Sequence, residues 1–371
     1  MKITFATSEL KETVKLLEKV NKSKDNPYIR IRSTTEGFIL GVSDGMVTVE
    51  RFIGGDLDGE PVDFMVNRDI FIGLTKKAKG EEVSLNKQEK KVLFVCGEMK
   101  VSLPFTNERA KYIDTWIGNN LVELDAQMVL KGLNKVAYAA DFTGNNIQFS
   151  GVIWDFREDG LRFVATDSFR LAYAKVENDT DLRNVKFVFP IFPLETLKSL
   201  VKETEVDAMR LCYENNKMYF ELGDVVFCML LADITPVNYE PIVFDDSTPS
   251  CKLEVNRGEL MYNLNMAEVL SASSSEGEKA VILTIKDNIE TEVNTENGSF
   301  DNTTDAKVDG EFSYESTGFY PSNVLDVLKR ADTQTIYISF ENDTKPMVLQ
   351  EEGELEWRAL VMPVKVRGAV V

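Results

Sequence analysis

The chain has 371 residues, 43% of them apolar and 28% charged, with a formal net charge of −19 and no histidine. That balance is ordinary for a globular protein, while the lack of histidine excludes Ser-His-Asp and Cys-His chemistry, His-ligated metals and the usual general base near neutral pH. Taken as a sum, the excess of carboxylates argues against a nucleic-acid partner, because phosphates attract cations.

In chain order, Met1-Lys2-Ile3-Thr4-Phe5 reads directly as a first strand, with no signal peptide. An amphipathic helix is predicted over roughly 9–20, with Leu10, Val14 and Leu17 on one face, Lys11, Lys15 and Lys19 on another, and Ser8 as its N-cap. Gly37-Phe38-Ile39-Leu40 then runs to a turn at Ser43-Asp44. A second helix opens at Val66-Phe71-Leu74. Alternation of Val92, Phe94 and Cys96 with Val101 and Leu103 marks a hairpin whose tip is Gly97-Glu98.

These landmarks return twice in the same order. The first opening, Phe5-Leu10-Val14, recurs as Leu124-Val129-Leu133 and Val255-Leu260-Leu264, and the second as Phe189-Leu194-Leu197 and Phe319-Val324-Val327. The tip recurs as Gly223-Asp224 and Gly353-Glu354, and Gly160-Leu161-Arg162-Phe163 again runs to a turn at Thr166-Asp167. Offsets of 119 to 131 residues are too long for a solenoid repeat and long enough for a domain with its own core. Three domains are predicted, 1–120, 121–247 and 248–371, with boundaries near 117–121 and in the polar stretch 244–250. Residues 294–309, rich in Asn, Thr and Asp, read as a mobile insertion. Two helices and small antiparallel sheets per copy give an α+β fold.

Catalytic signals are lacking. No Walker A or GxGxxG motif is present, and the carboxylate pairs Asp245-Asp246 and Glu351-Glu352 read as solvated loop charge. Cys96, Cys212, Cys228 and Cys251 are scattered without a CxxC pair and read as buried hydrophobes in a reducing cytoplasm, with no metal or cofactor implied. The longest apolar run, 225–232, is too short to cross a bilayer. Three similar domains without a catalytic group suggest an architectural protein, not an enzyme.

Two segments carry a resemblance beyond topology: Val164-Ala165-Thr166-Asp167-Ser168-Phe169-Arg170-Leu171 and the C-terminal Leu360-Val361-Met362-Pro363-Val364-Lys365-Val366. With Val324-Leu325-Asp326-Val327-Leu328 and the triplication, the whole chain resembles the bacterial DNA polymerase III beta subunit family, the sliding clamps. The resemblance implies three tandem clamp domains, each with two helices on antiparallel sheets. It implies a head-to-tail homodimeric ring around duplex DNA, acting as a sequence-independent processivity factor. It also implies that the replicative polymerase, the clamp loader and other clients dock by short linear peptides.

Carried over residue by residue, the resemblance implies a peptide cleft of Phe149, Thr166, Ser168, Phe169, Arg170, Leu171, Val237, Pro241 and Ile242 with Tyr320, Asn323, Thr344, Pro346, Leu360, Val361, Met362, Pro363 and Val364. The helices implied to face DNA hold Lys11, Lys15, Lys19, Lys22, Lys24, Lys76, Lys77 and Lys79 in copy one. Copy two offers Lys131, Lys135, Lys198 and Lys202, and copy three Arg257, Lys329 and Arg330. Lysine suits a sliding contact, being a hydrated point charge that meets phosphate without reading bases. Val101 and Leu103, with Val269 and Leu270, are implied at the dimer joint. The sequence departs from the family pattern at Ser168-Phe169, Tyr320, Asn323, Pro241, Ser273-Ser274-Ser275 and the extra residues 367–371. A bacterial or phage origin and a clamp-like adaptor that encloses no DNA stay open at this stage.

Overall fold

The computed structural model describes residues 1–108, 112–115, 121–177, 180, 182–214, 216–245, 248–272, 279–310 and 316–365. Residues 117–120, 246–247, 273–275 and 367–371, named above as boundaries, loop and tail, lie outside them. Seven helices occur among the described residues: α1 (Thr7–Leu17), α2 (Arg68–Lys77), α3 (Ala126–Val136), α4 (Ile191–Thr204), the one-turn α5 (Glu240–Val243), α6 (Arg257–Ser271) and α7 (Pro321–Leu328). The chain divides into two compact units, Met1–Leu130 with Phe192–Asp233, and Lys131–Ile191 with Ile234–Val371.

The first unit holds one continuous antiparallel sheet. Its order is Val122–Asp125, Ala208–Glu214, Lys217–Leu222, Val225–Leu230, Val47–Ile53, Phe38–Ser43, Tyr28–Ser33, Asp63–Asn67, Met99–Thr106, Lys91–Cys96, Glu82–Lys87, Lys2–Ala6 and Asp56–Asp58. The second unit holds another, in the order Val185–Pro190, Gly151–Arg157, Gly160–Thr166, Arg170–Val176, Glu356–Val361, Met347–Gln350, Thr335–Phe340, Cys251–Asn256, Gly298–Gly310, Asn288–Thr295, Val281–Ile285 and Ser316–Phe319.

The repeated landmarks do the same physical work in each copy. Phe5, Leu10 and Val14, Leu124, Val129 and Leu133, and Val255, Leu260 and Leu264 are all at most 4% exposed. At the tips, Gly97 and Gly223 take positive φ (58° and 65°) in two-residue turns, a conformation that glycine adopts without strain. Gly353 instead sits in a longer loop between Gln350 and Glu356. Asp44 Oδ1 accepts the N–H groups of Met46 and Val47, and Asp167 Oδ1 those of Phe169 and Arg170, so both aspartates predicted at equivalent turns close them in the same way.

Local details differ from expectation. Ser8 lies inside α1, which starts after Ala6 with no side-chain cap and ends at Leu17. The far end of α1 is held by Arg68, whose guanidinium donates to the carbonyls of Leu17 (2.9 Å), Val20 (2.7 Å) and Asn21 (3.1 Å). Asparagines cap α2 and α6: Asn67 accepts from the Ile70 N–H and Asn256 from the Glu259 N–H. Residues 294–309 are no free insertion. They form most of a hairpin between Asn288–Thr295 and Gly298–Gly310, whose buried face includes Ile289, Thr291, Val293 and Thr304. Threonine fits a pleated, half-buried surface as well as a loop, so composition alone misread it.

Lys135 is another correction. Its side chain is only 5% exposed, its ammonium pairs with Glu351 and with Asp332 (3.0 Å), donates to the Arg330 carbonyl (2.6 Å) and lies 5.0 Å from the Trp357 ring centre. Glu351, expected as solvated loop charge, is 2% exposed on its side chain and also accepts from the Asp332 and Thr333 N–H groups. Burial would raise the Glu351 carboxyl pKa, but Lys135 and these backbone donors outweigh it and hold it below its ordinary value. Lys135→Met should destabilise this unit by about 3–5 kcal/mol in urea unfolding, since it leaves a buried charge without its partner. Because the folded-state pKa of Glu351 is depressed, its contribution is present above the unfolded-state value and is lost as pH falls through the folded-state one. Glu351→Gln should therefore flatten the acid limb of the stability profile.

Candidate functional site

The strands Gly160–Thr166 and Arg170–Val176 meet at a tight turn that places several cleft residues. The Thr166 hydroxyl donates to the Arg170 carbonyl (2.7 Å), and Ser168 is held at φ 76°, a left-handed conformation that costs a non-glycine residue about 1–2 kcal/mol. The turn leaves Phe169 55% exposed. Arg170 is a fixed post. Its guanidinium donates to Asp167 (3.0 Å), Asp326 (2.6 Å) and the Tyr138 carbonyl (3.1 Å), and stacks 5.4 Å from the Tyr138 ring centre. Asp326 and Tyr138 were missed as site residues. Asp326 stood inside the Val324–Leu328 run, where periodicity draws attention only to the apolar positions.

The turn is joined to the C-terminal segment by strand pairing. Arg170 lies opposite Val361 and Leu171 opposite Leu360, and the Met362 N–H donates to the Phe169 carbonyl (2.8 Å). Leu171 (5%) and Leu360 (4%) are buried in one apolar cluster with Ile153, Val164, Tyr173, Val188, Tyr239 and Val243, and Val237 packs against it. Tyr239 anchors the cluster through its hydroxyl, which donates to Asp155 (2.6 Å).

Over this cluster lies a groove of about 480 Å³. Ile242, Val243, Pro346, Val348 and Leu360 supply apolar wall, while Lys252, Lys345 and Arg358 and the acids Asp245, Glu341, Glu351 and Glu352 supply charge, with Lys345 and Asp245 paired at 3.0 Å. Ile242 is 50% exposed and Met362 39%. An open apolar wall with a few polar handles is what a short amphipathic peptide needs.

The expected cleft set therefore divides. Ile242, Pro346 and Leu360 line the groove. Thr166, Ser168, Phe169, Arg170, Leu171, Val361 and Met362 are gathered by the adjoining strand pair and turn. Phe149, Val237, Pro241, Tyr320, Asn323, Thr344, Pro363 and Val364 are not among the groove-lining residues. Phe149 is half-buried, with its carbonyl accepting from the Asp141 N–H; Tyr320 and Asn323 stand at the start of α7; and Thr344 is turned to Asn342. The charged members of the groove left no signal in the sequence, where they look like ordinary surface residues.

The basic helices form a second set. In the first unit, Lys15 of α1 and Lys19 just past its end both reach Glu203 of α4, Lys22 pairs with Asp69 (2.9 Å), Lys76 with Glu18 (2.6 Å) and Lys198 with Glu195 (2.8 Å). Lys24, Lys77, Lys79 and Lys202 are exposed and Lys11 is half-exposed. In the second unit, Lys131 pairs with Glu354 and Lys329 with Asp326 (3.6 Å), while exposed Arg330 lies 5.6 Å from the Tyr138 ring centre. Arg257 does not present itself to a ligand: its guanidinium donates to the carbonyls of Leu328 (3.3 Å) and Ala331 at the end of α7. With Lys135 buried, two of the expected phosphate contacts serve the fold instead. Leu103 is likewise core, at 3% exposure, whereas Val101 is half-buried, Val269 70% exposed and Leu270 half-buried.

Among the described residues no helix is long and apolar enough to cross a membrane, and no cluster of three or more acidic or cysteine side chains could hold a metal. Residues 123–235 match the family described as DNA polymerase III beta subunit, central domain, and residues 247–365 match its C-terminal domain. A beta sliding clamp of Staphylococcus aureus is 22% identical over 98% of both chains, and one of Staphylococcus epidermidis 21% over the same shares. The fold is similar to the DNA polymerase III beta chain of Streptococcus pneumoniae (TM-score 0.90, 20% identity, covering 98% of this chain and 100% of that one) and to the sliding clamp of Bacillus subtilis (0.87, 22%, 99% of each). Two domain families in their proper order span more than half of the sequence, and the chain belongs to the DNA polymerase III beta subunit family.

Proposed function

We propose that this chain is a DNA sliding clamp that closes as a head-to-tail homodimer of three-domain protomers, 1–120, 121–247 and 248–371. One observation carries the reading: the same strand-to-strand joint occurs twice within the chain. Val47–Ile53 pairs with Val225–Leu230, and Arg170–Val176 pairs with Glu356–Val361. Equivalent positions are fixed by the register, because Val42, Ala165 and Val293 lie opposite Val49, Ala172 and Phe300. The third strand of this kind is Gly298–Gly310, and the strand equivalent to Val225–Leu230 in the first copy is Met99–Thr106. Each pairs on one edge along 298–304 and 99–104, and the other edge has no strand partner among the described residues. Two open edges of matching kind are a template for a joint with a second copy.

Copying the internal register onto that joint sets Val101 opposite Phe300 and Lys100 opposite Asp301. Leu270 lies nearby, its Cδ2 3.7 Å from where a Cβ on Gly298 would sit, in keeping with a role at the joint. Lysines on the helices would then meet phosphates weakly and without base readout, and retention would come from closure. The relatives matched over the whole chain carry clamp names, which favours a clamp over a protein-binding adaptor. As a partner of DNA and a replicative polymerase it would work in the cytoplasm, and this reading gives it no catalytic step.

The wild-type protein, once loaded, should stay on nicked circular DNA and be lost when the circle is cut; equal loss from both would refute enclosure. Lys100→Glu should weaken self-association about five- to thirtyfold in sedimentation, from about 0.5–1 kcal/mol at each of two joints, and adding Asp301→Lys should restore it. For the groove, exposed Phe169 and Met362 are cleaner probes than Leu171, whose truncation would cost about 2–5 kcal/mol of stability. Phe169→Ala with Met362→Ala should abolish polymerase stimulation while the dimer persists; undiminished stimulation would move the client site elsewhere.

A further inference from the structure

The basic helices of a clamp must attract DNA and still let it slide, and this chain carries 61 carboxylates against 42 basic side chains. The acids are not confined to surfaces remote from the lysines. Of the exposed or half-exposed lysines assigned to the DNA-facing set, Lys15, Lys19, Lys22, Lys76, Lys131, Lys198 and Lys329 each have a carboxylate partner. Most of these are simple one-to-one pairs. Glu203 differs, because its two oxygens engage two lysines at once: Oε2 takes Lys15 and Oε1 takes Lys19 at 3.2 Å. It reaches them from α4, so the contact links two helices that both belong to the basic set. The Glu203 side chain is 23% exposed, whereas that of Lys15 remains 64% exposed and open to an incoming ligand.

A carboxylate shared by two ammonium groups has the geometry and charge of a phosphate oxygen pair. We propose that Glu203 is a built-in competitor for DNA phosphate: it holds Lys15 and Lys19 in the unbound protein and must be displaced before either can bind the duplex backbone. The assignment rests on the clamp reading. Partly exposed ion pairs are individually weak, so the exchange is reversible at little cost and suits a contact made and broken with each step along DNA. The hydrogen bonds from Lys15 and Lys19 also hold the Glu203 carboxyl below its ordinary pKa, in keeping with a carboxylate shared by two ammonium groups.

The test is binding of a short open-ended duplex as a function of salt. Each additional phosphate neutralised steepens the slope of log K against log[salt] by about 0.9. Because the displaced carboxylate takes up a cation that offsets one released from DNA, Glu203→Gln should steepen it by up to about 1 and tighten binding several-fold at low salt, with the gain vanishing at high salt. Glu203→Ala should act in the same direction. In a Lys15→Ala/Lys19→Ala background the Glu203 change should have no effect, since nothing is left for it to release. An unchanged slope, or a steepening that survives loss of both lysines, would overturn the proposal. Failure of the wild-type protein to remain on nicked circles would instead overturn the clamp reading beneath it.

Discussion

Hydrogen bonding at strand edges is the constraint on which the rest of this structure depends. A sheet edge left open is a row of unpaired donors and acceptors, and the chain resolves most of its edges internally. Val225–Leu230 closes on Val47–Ile53, and Glu356–Val361 closes on Arg170–Val176, so each compact unit holds one long antiparallel sheet. The groove is a by-product of the second joint. Leu171 and Leu360 come together only because their strands pair, and the Met362 N–H reaches the Phe169 carbonyl as the pairing continues past the last strand residue. Among the described residues the edges at 99–104 and 298–304 stay open, as do the outer edges of terminal strands such as Val122–Asp125, Asp56–Asp58 and Val185–Pro190, and the proposed joint would close the first two between copies.

Charge follows a similar economy. A net charge of −19 first looks hostile to DNA, yet much of the acid is committed to neighbouring bases. Some of those pairs build the fold: Lys135 with Glu351 and Arg170 with Asp326 fix elements that come from distant parts of the sequence. Others lie at the surface, where they temper the lysines without removing them. Burial distinguishes the two classes. A pair such as Lys135–Glu351 is expensive to break, whereas Lys15–Glu203 can exchange with solvent or phosphate.

Much of this was legible in the sequence because repetition filters noise. The three strand–helix openings, the glycine tips and the turns at Asp44 and Asp167 appeared as fixed spacings, and the structure gives the buried landmarks equivalent roles. What could not be read was the environment of individual polar residues. Lys135 and Lys131 sit four apart on one helix and look alike, but only Lys135 falls beneath Trp357. Arg257 looks like a free cation and is a cap for the end of α7. Residues 294–309 look like a loop because Asn, Thr and Asp are abundant, although the hairpin around them buries Ile289, Thr291, Val293 and Thr304 on one face. The groove's charged rim is assembled across long sequence separations, and nothing local marks it.

The central claim is that the two open strand edges find each other between copies, in the register already used inside the chain. Cysteines at Val101 and Phe300 test this most directly, since opposite residues in an antiparallel pair lie about 4.5–5.5 Å apart at Cα, within reach of a disulfide. Mild oxidation of Val101→Cys/Phe300→Cys should give a covalent species of two chains and no larger ladder. Unlinked monomer, or a ladder of ever longer oligomers, would contradict closure by this joint.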